Sequence, residues 1–478
     1  MKNDRDAAVV VVGAGFAGMM AAYRLWQQKH SVIVFDALPR TGGRSWSAPL
    51  SNGGFVDIVA GWTGSTQYVM LRLIKELGLE IYTQYGVDKN PTDAWNLFVA
   101  ADGTRIPYQG AAFPVSDAAQ GEIQNAIFTI NQLYELIPLD APWKAPGAAA
   151  WDAMSAGAFA SQIVRDPDAL AVVMNNLTTI FGLSPFAVSL LHLLWDSKMA
   201  KGVQQFGAVE GGSVQYRIRG GTQQIPNKIQ QLLGPGAFRL DSPVREILQD
   251  DDGVTVSSAR DTVRASRVIV AIPSCLTGFI RYTPSLPGDR AQLIQRVPQG
   301  SAIKAQVIYD EAFWRFGPPA QKQKLTGFTF AINRPYVTQT VDAGGPFGED
   351  TPGILACFID DDAARDIGRM TLAERQSIIL DELAVRFDTD RMKQLSKTIT
   401  PNYVESISQN MEWIRGDYAS TPGPRVLTAS GFGPAIREPF KRIHWAGVDT
   451  ANVEWYQTLD GAAQSGERAA SEVVEAGL

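Results

Sequence analysis

Cysteine and histidine are scarce in this chain of 478 residues, which contains 2 cysteines and 3 histidines. Neither Cys275 nor Cys357 belongs to a C-x-x-C pair, and His30, His192 and His444 are far apart in the sequence. The sequence therefore predicts neither a disulfide framework nor a metal site. So few cysteines suit a reducing compartment, and we expect a cytoplasmic protein.

Long apolar runs and an excess of basic charge are also absent. Apolar stretches have the length of strands or are interrupted by charges, so no transmembrane helix and no membrane partner are expected. Residues 2–6 are polar and lead straight into the first apolar run, so we expect no signal peptide. The net charge of -6, without a basic stripe, argues against a nucleic-acid partner. The composition is that of an ordinary globular protein, with 45% apolar residues, and the chain is long enough for two domains.

Glycine is plentiful, and the first glycines form a dinucleotide-binding pattern. The apolar run 9–12 leads into Gly13, Gly15 and Gly18, and Asp36 ends a second apolar run about 20 residues further on. Gly13 permits a tight turn, Gly15 leaves space for a pyrophosphate, and Gly18 lets the next helix pack closely on the sheet. The pyrophosphate would lie on the helix N-terminus, with Asp36 on the ribose hydroxyls. Further contacts are expected from Phe16, Ala17 and Ala37.

A second glycine loop indicates which dinucleotide is bound. Arg40, Gly42, Gly43 and Arg44 follow shortly after Asp36. Nicotinamide enzymes do not need such a loop, whereas flavoenzymes that hold extended FAD use one, and an arginine offers fixed donors to phosphate or flavin oxygens. The alternative is an ordinary surface loop with two arginines. We therefore expect FAD as the cofactor.

The C-terminal region carries a third element of the same kind. Gly447 and Asp449 follow a short apolar run at a glycine-acid turn. The turn leads toward residues 460–470, where small residues recur at close spacing and would let a helix lie against the cofactor and the first helix.

These three blocks resemble the flavin-containing amine oxidase family. Two further regions are similar to the animal monoamine oxidases and are more specific than the glycine motifs. They are residues 137–146 with 151–152, and residues 296–304 with 313–315. The resemblance covers residues 9–470. It implies an α/β fold with a Rossmann-like FAD-binding domain of the glutathione-reductase type and an inserted α+β substrate domain. Residues 1–82, 219–295 and 410–478 would form the FAD-binding domain, and residues 83–218 and 296–409 the substrate domain.

The family resemblance also implies the reaction. A primary or secondary amine would be oxidised to an imine by hydride transfer to flavin N5, the imine hydrolysed to an aldehyde or ketone, and O2 reduced to H2O2. Lys304 matches the family lysine that reaches flavin N5 through a water, and is the expected catalytic residue. Two alternatives stay open: a flavin dehydrogenase or desaturase of a cyclic or alkaloid-like amine that uses another acceptor, and a non-catalytic flavoprotein. The remaining cofactor contacts implied by the resemblance are Gly61, Trp62, Val244, Trp413 and Leu459.

Two departures from the family pattern bear on the site. The loop 417–424 has no cysteine where the animal enzymes attach the flavin, so we expect noncovalent FAD. The family often frames the amine with two aromatic side chains. One of them would lie near Pro422 and Gly423, where no aromatic residue stands, and Thr458 occupies the other position. Trp455 and Tyr456 are the candidate replacements.

The substrate would be a small amine in a largely apolar pocket, which favours a hydrophobic or cyclic amine. The sequence leaves its identity and stereochemistry open. A homodimer is the family habit. Pocket candidates from the helical part of the chain are Leu177, Thr178, Phe181, Leu194 and Gln215.

Periodicity predicts the elements around these motifs. Residues 85–216 are expected to be mainly helical, and residues 372–387 to form one long helix. Residues 302–309 read as a strand that contains Lys304. Residues 253–257 with 262–265 read as a hairpin-like pair, and residues 267–273 as a separate buried strand.

Overall fold

The structure is a computed structural model that describes residues 6–86, 93–208, 210–316, 324–332, 336–349 and 351–478. In chain order its α-helices are α1 (Phe16–Gln27), α2 (Tyr68–Glu76), α3 (Asp117–Tyr134), α4 (Ala148–Ala153), α5 (Ala156–Ile163), α6 (Pro167–Phe181), α7 (Leu190–Met199), α8 (Gln224–Leu233), α9 (Gly288–Leu293), α10 (Asp361–Ile367), α11 (Leu372–Phe387), α12 (Phe432–Ala435) and α13 (Leu459–Glu475). Its strands are β1 (Ala7–Val12), β2 (Val32–Phe35), β3 (Ser47–Pro49), β4 (Phe55–Asp57), β5 (Ile81–Thr83), β6 (Trp95–Val99), β7 (Arg105–Tyr108), β8 (Tyr216–Ile218), β9 (Phe238–Arg239), β10 (Val244–Gln249), β11 (Val254–Ser258), β12 (Thr262–Val270), β13 (Arg281–Thr283), β14 (Gln299–Gly300), β15 (Ala302–Tyr309), β16 (Leu325–Ala331), β17 (Gln339–Asp342), β18 (Gly353–Asp360), β19 (Tyr403–Ile407), β20 (Asp417–Ser420) and β21 (Ile443–Trp445).

The first large sheet carries the dinucleotide motif. Its order is β13-β10-β11-β12-β1-β2-β9, with β21 also paired to β12. The strands β12, β1, β2 and β9 run parallel, as does β21 beside β12. The valines of β1 are buried because α1 and α13 cover one face of the sheet and a second apolar cluster covers the other. All eight strands come from segments 1–82, 219–295 and 410–478.

The second large sheet is mixed, in the order β19-β15-β18-β17-β16-β6-β7. All its strands come from segments 83–218 and 296–409. Strand β15 is buried along its whole length because both faces are covered. Ile303, Ala305 and Val307 face the apolar cluster under α11, whereas Lys304 and Gln306 project from the opposite face. The mixed α/β architecture and the parallel first sheet confirm the predicted fold class.

Helices α3 and α6 are held in place by local capping and stand over the second sheet. Ser116 accepts a hydrogen bond from Ala119 N (3.1 Å), and Asp166 accepts from Ala169 N (3.0 Å). These side chains satisfy N–H groups that have no partner within the helix. Helix α6 ends at Gly182, whose φ of 63° places it in the left-handed region that glycine adopts without strain. One face of each helix is therefore fixed toward the interior.

Two secondary-structure predictions need correction. Residues 262–270 form the single strand β12, because its first half pairs with β11 and its second half with β21. The predicted break before residue 267 is therefore wrong. The antiparallel pair β6–β7 lies within the segment predicted as mainly helical. A short polar-interrupted run gives little strand signal by itself, and β6 is stabilised by parallel pairing with the distant β16. The strand and long helix at β15 and α11 have the predicted bounds.

Candidate active site

A cavity of about 1310 Å³ connects the two sheets and is called the central cavity. Its cofactor half is formed by the lining residues from segments 1–82, 219–295 and 410–478. Its substrate half is formed by those from segments 83–218 and 296–409. The predicted site residues that line the central cavity are Gly13, Gly15, Phe16, Ala17, Asp36, Ala37, Gly42, Gly43, Arg44, Gly61, Trp62, Leu177, Val244, Lys304, Trp413, Gly447, Thr458 and Leu459.

The glycines of the cofactor half leave the space that a phosphate group needs. Gly13 has φ +104°, and a Cβ there would lie 2.8 Å from the Ala271 carbonyl oxygen. A Cβ at Gly18 would lie 1.8 Å from the Gly13 carbonyl oxygen, so Gly18 serves the packing of α1 on the loop rather than the cavity itself. A Cβ at Gly15 would meet no atom within 4 Å, because it would point into open space at the start of α1. The free N–H groups of α1 therefore face open space that suits an anion.

Asp36 lies at the end of β2 and is buried beside this loop. Its carboxylate accepts hydrogen bonds from Ala14 N (2.5 Å) and Leu38 N (2.7 Å). Burial is the main cause that raises its pKa to about 6, partly offset by those two bonds. The two bonds fix the carboxylate at the cavity wall, in the orientation that hydroxyl groups of a ribose would meet.

The second glycine loop closes over the first. Gly42 N donates to the Ala14 carbonyl oxygen (2.8 Å), and a Cβ at Gly43 would lie 3.3 Å from Gly15 Cα. Arg44 lines the central cavity, donates to the Tyr418 carbonyl oxygen and lies 3.6 Å from Asp417 Oδ1. Two predicted cofactor residues of these loops, Gly18 and Arg40, do not line the cavity. The Arg40 guanidinium stacks over the Trp46 ring at 4.7 Å instead.

Asp449 does not line the cavity either, because its carboxylate serves two backbone groups. Its oxygens accept from Ser274 N (2.7 Å) and Ser420 N (2.8 Å), and the side chain is buried. Asp449 thus ties the turn after β12 to β20. The neighbouring Gly447 faces the cavity, and the N-cap residue Thr458 with Leu459 brings the start of α13 to it.

Lys304 lies where the two halves meet. Its Nζ donates to the carbonyl oxygens of Val59 (2.5 Å) and Asp57 (3.3 Å) and stands 4.4 Å from the centre of the Trp62 ring. Burial is the main cause that lowers its pKa to about 7, and nearby Asp57 raises it only in part. The amine can therefore gain or lose a proton near neutral pH, as groups with perturbed pKa values at functional sites often do.

A buried ion pair supports the segment that receives Lys304. Arg217 donates to Asp57 Oδ2 (2.8 Å), and both side chains are almost completely buried. The other Asp57 oxygen accepts from Ser47 Oγ (2.6 Å) and Thr222 N (3.0 Å). Sequence reasoning did not single out this pair, because its members are distant in the sequence and no short motif contains both. It holds the end of β4 beside Lys304.

The substrate half has mainly apolar walls. Helix α3 contributes Ile123, Ile127 and Ile130 at helical spacing, with Gln120 and Gln124 on the same face. Further apolar wall residues include Phe113, Val172, Val173, Leu177, Ile180, Phe206, Phe328, Val341 and Phe358. Among the described lining residues of this half, Lys304 and Glu210 carry charge, and Glu210 is exposed.

Several predicted pocket residues lie behind the walls. Leu194 and Phe181 pack in the core around α7, and the Thr178 hydroxyl donates to the Met174 carbonyl oxygen within α6. Gln215 accepts from Gly211 N (3.1 Å) outside the set of lining residues. These four residues make packing or loop contacts and do not line the cavity, in contrast to the prediction.

The proposed aromatic replacements are also turned away from the cavity. Trp455 donates from Nε1 to the Thr66 carbonyl oxygen (3.1 Å), and Tyr456 donates to that of Ser420 (2.9 Å). Tyr418 lines the cavity, as do Trp62 and Phe358. The sequence predicts the aromatic position near residues 422–423, whereas Tyr418 lies earlier in the same segment, directly after Asp417.

Comparison with known proteins shows the family to which this chain belongs. Residues 16–474 match the family described as flavin containing amine oxidoreductase. The chain belongs to the flavin-containing amine oxidase family. It is 31% identical over 477 residues to amine oxidase A of Bos taurus, covering 98% of this chain and 85% of that protein. It is 32% identical over 482 residues to amine oxidase B of Mus musculus, covering 100% and 87%.

Solved structures of other flavin amine oxidases share the whole fold. Putrescine oxidase bound to putrescine matches with a TM-score of 0.88 and 27% identity, over 98% of this chain and 99% of that one. Cyclohexylamine oxidase from Brevibacterium oxydans matches with a TM-score of 0.86 and 26% identity, over the same shares. The predicted family, enzyme class and FAD cofactor are confirmed. Within the described residues no helix is both long and apolar enough to span a membrane, and no cluster of three or more ligand-type side chains is placed to hold a metal.

The geometry of the cofactor half fits FAD. The open space at Gly15, the free N–H groups of α1 and the fixed Asp36 carboxylate are suited to a pyrophosphate and a ribose. This amine oxidase would hold the dinucleotide with these groups and with Arg44.

Proposed function

We propose that this amine oxidase oxidises a hydrophobic or cyclic monoamine with noncovalent FAD and O2 as the electron acceptor. The observation that supports the substrate class is the lining of the substrate half, which is apolar apart from side-chain amides, hydroxyls, Lys304 and the exposed Glu210. A second ammonium group would meet no buried carboxylate from the described lining residues of segments 83–218 and 296–409, and a substrate carboxylate would meet no arginine there. Asp417 and Arg44 also line the cavity, but they pair with each other at 3.6 Å. Diamines and amino acids are therefore the less suitable substrates.

The apolar walls also favour the reactive form of the substrate. Removing an ammonium group from water lowers its pKa, so a bound amine tends to lose its proton before oxidation. The walls contributed by α3, α6 and the second sheet would hold the carbon body of the amine and exclude water. FAD, when bound, accepts the hydride from the carbon next to nitrogen. Lys304 would hold a water and a mobile proton beside this centre and support the reaction with oxygen.

A panel of amines tests this function. We expect anaerobic mixing with aryl-alkyl or cyclic monoamines to bleach the flavin absorbance, and admission of air to restore it with formation of peroxide. Putrescine and amino acids should react at least about 10-fold more slowly at equal concentration, since burying an unpaired charge costs more than about 1.4 kcal/mol. Bleaching by an amine without recovery in air would favour the dehydrogenase or desaturase alternative. A flavin that dithionite reduces but no amine bleaches would contradict the proposal.

Release of the flavin tests the noncovalent attachment. Cys357 faces the core under α11 and Cys275 lies outside the set of lining residues, and burial raises the pKa of their thiols to about 12 and about 11. Such thiols are poor nucleophiles. We expect acid precipitation to leave all flavin in the supernatant as free FAD. Yellow colour retained in the washed precipitate of the parent, and lost in Cys275→Ser, would contradict this expectation.

We also propose that the protein is cytoplasmic and forms a homodimer. The location is supported by the scarcity of cysteine, and the dimer by the family resemblance alone. Size-exclusion chromatography with light scattering would measure the mass in solution, and a single 51.9 kDa species would contradict the dimer.

A further inference from the structure

A buried carboxyl group lies next to the wall of the substrate half without lining it. Strand alternation places Phe358 and Asp360 on the same face of β18, and Phe358 pairs directly with Lys304 of β15. Asp360 is 4% exposed and forms no ion pair with any residue that the structure describes. The acidic groups that face it are Asp361 and Asp417. Burial is the main cause that raises the pKa of Asp360 well above its ordinary value. A carboxyl group buried this deeply is costly unless it is hydrogen-bonded.

The partner of this carboxyl is a residue of the cavity wall. Tyr418 donates from its hydroxyl to Asp360 Oδ1 (3.2 Å), and Thr179 of α6 also faces Asp360. Both Tyr418 and Thr179 line the central cavity. Asp360 thus contacts two wall residues that come from different segments of the chain.

Tyr418 adopts a backbone conformation that other contacts must maintain. Its φ of +56° lies in the left-handed region, which costs a non-glycine residue free energy. The Tyr418 N–H donates to Asp417 Oδ1 (2.8 Å), and its carbonyl oxygen accepts from Arg44. The ring lies against Gly182, where a Cβ would come within 3.0 Å of it. The backbone is thus fixed on both sides and the ring packs on Gly182, while the hydroxyl makes the one side-chain hydrogen bond of Tyr418 among the described residues.

We propose that Asp360 is a positioning residue of the amine site, which fixes the Tyr418 ring in the cavity wall by accepting its hydroxyl hydrogen bond. The inference rests on the proposed amine site, and it assigns to Asp360 a role in substrate affinity rather than in the chemical step. Removing the hydrogen bond would let the ring turn within the wall. The amine would then bind less tightly, while a bound amine would still react.

A double-mutant cycle on the holoenzyme tests this role. The variants are Asp360→Leu, Tyr418→Phe and the double variant, with Asp360→Asn as the conservative control that keeps an acceptor of the same shape. Anaerobic flavin reduction by a monoamine that the parent oxidises gives the apparent Kd and the limiting rate separately. We expect D360L and Y418F each to raise the apparent Kd about 5-fold, which corresponds to the loss of one hydrogen bond. The limiting rate of flavin reduction should stay within about 2-fold of the rate of the parent. The double variant should be no worse than either, and D360N should stay near the parent.

The outcomes separate this role from a general loss of structure. Additive effects of D360L and Y418F, or an unchanged apparent Kd in Y418F, would overturn the proposal. Y418F keeps the ring and remains informative if D360L does not fold. FAD content of D360N and Y418F should equal that of the parent, and the melting temperature of Y418F should fall by no more than a few degrees, about the loss of one buried hydrogen bond. If the parent itself oxidises no amine, the proposed function fails instead, and the cycle has no rate to measure.

Discussion

Replacing Lys304 with methionine is expected to slow reoxidation of the reduced enzyme by O2 about 100-fold, the usual effect of removing one preorganised polar group from an active site. Lys304 is the single basic side chain among the described lining residues of the substrate half, and two carbonyl oxygens and the Trp62 ring fix its position. Methionine has a similar length but provides neither a proton nor a hydrogen bond to water. Stopped-flow mixing of reduced enzyme with oxygenated buffer measures the rate.

The pH dependence gives this prediction a second readout. Burial lowers the pKa of Lys304 to about 7 from its ordinary 10.5, so the parent carries the charged amine below pH 7 and the neutral amine above it. An ammonium group stabilises negative charge that develops on oxygen, so we expect reoxidation in the parent to slow as the pH rises through about 7. K304M should show no such step.

The free energy of unfolding should rise with pH, whereas the reoxidation rate should fall. The unfolded state binds the proton of Lys304 between pH 7 and 10.5, where the folded state does not, so this group makes the free energy of unfolding rise with pH across that window. K304M should lose that contribution while keeping its FAD. Lys324→Met is the matched control, because Lys324 pairs with Asp93 at the surface. Equal reoxidation rates in K304M and the parent would remove the proposed role of Lys304.

Replacing Gly15 with valine is expected to abolish stable FAD binding while leaving the apoprotein folded. Gly15 has φ -70° and ψ 179°, which any residue adopts, and a Cβ there meets no protein atom within 4 Å. The added side chain would instead occupy the open space in which the pyrophosphate approaches α1. Overpacking costs about 1–3 kcal/mol, and the phosphate would also lose N–H hydrogen bonds, so the Kd for FAD should rise about 100-fold or more.

Desalting followed by the flavin absorbance measures this loss, and Gly236→Val is the matched control. Gly236 is also free of atoms within 4 Å of a Cβ, but it is exposed and does not line the central cavity. The G236V protein should stay yellow. A G15V protein that keeps its flavin would contradict the assignment of the cofactor half. If G15V melts below the apoprotein of the parent, the loss would reflect folding and not the space at Gly15.

The sequence by itself determined the cofactor loops, the fold class and the family. These depend on short-range patterns: glycines at fixed spacing after a buried strand, an acid at the end of the next strand, and segments 137–146 and 296–304 that resemble the monoamine oxidases. The bounds of β15 and α11 were also predictable, because a continuous apolar run and a capped helical repeat are local signals. The prediction of Lys304 as the catalytic residue rests on the same kind of signal, since its neighbours in sequence carry the resemblance.

Only the tertiary structure decided which side chains line the cavity. Leu194, Trp455 and Tyr456 pack behind the walls, while Phe358 and Tyr418 reach the cavity from strands at other positions in the chain. The Asp57–Arg217 pair and the contact of Asp360 with Tyr418 join residues that are distant in sequence. The register and packing of distant segments decide which face of a strand is turned inward and which side chains it contacts. No local sequence pattern connects those segments.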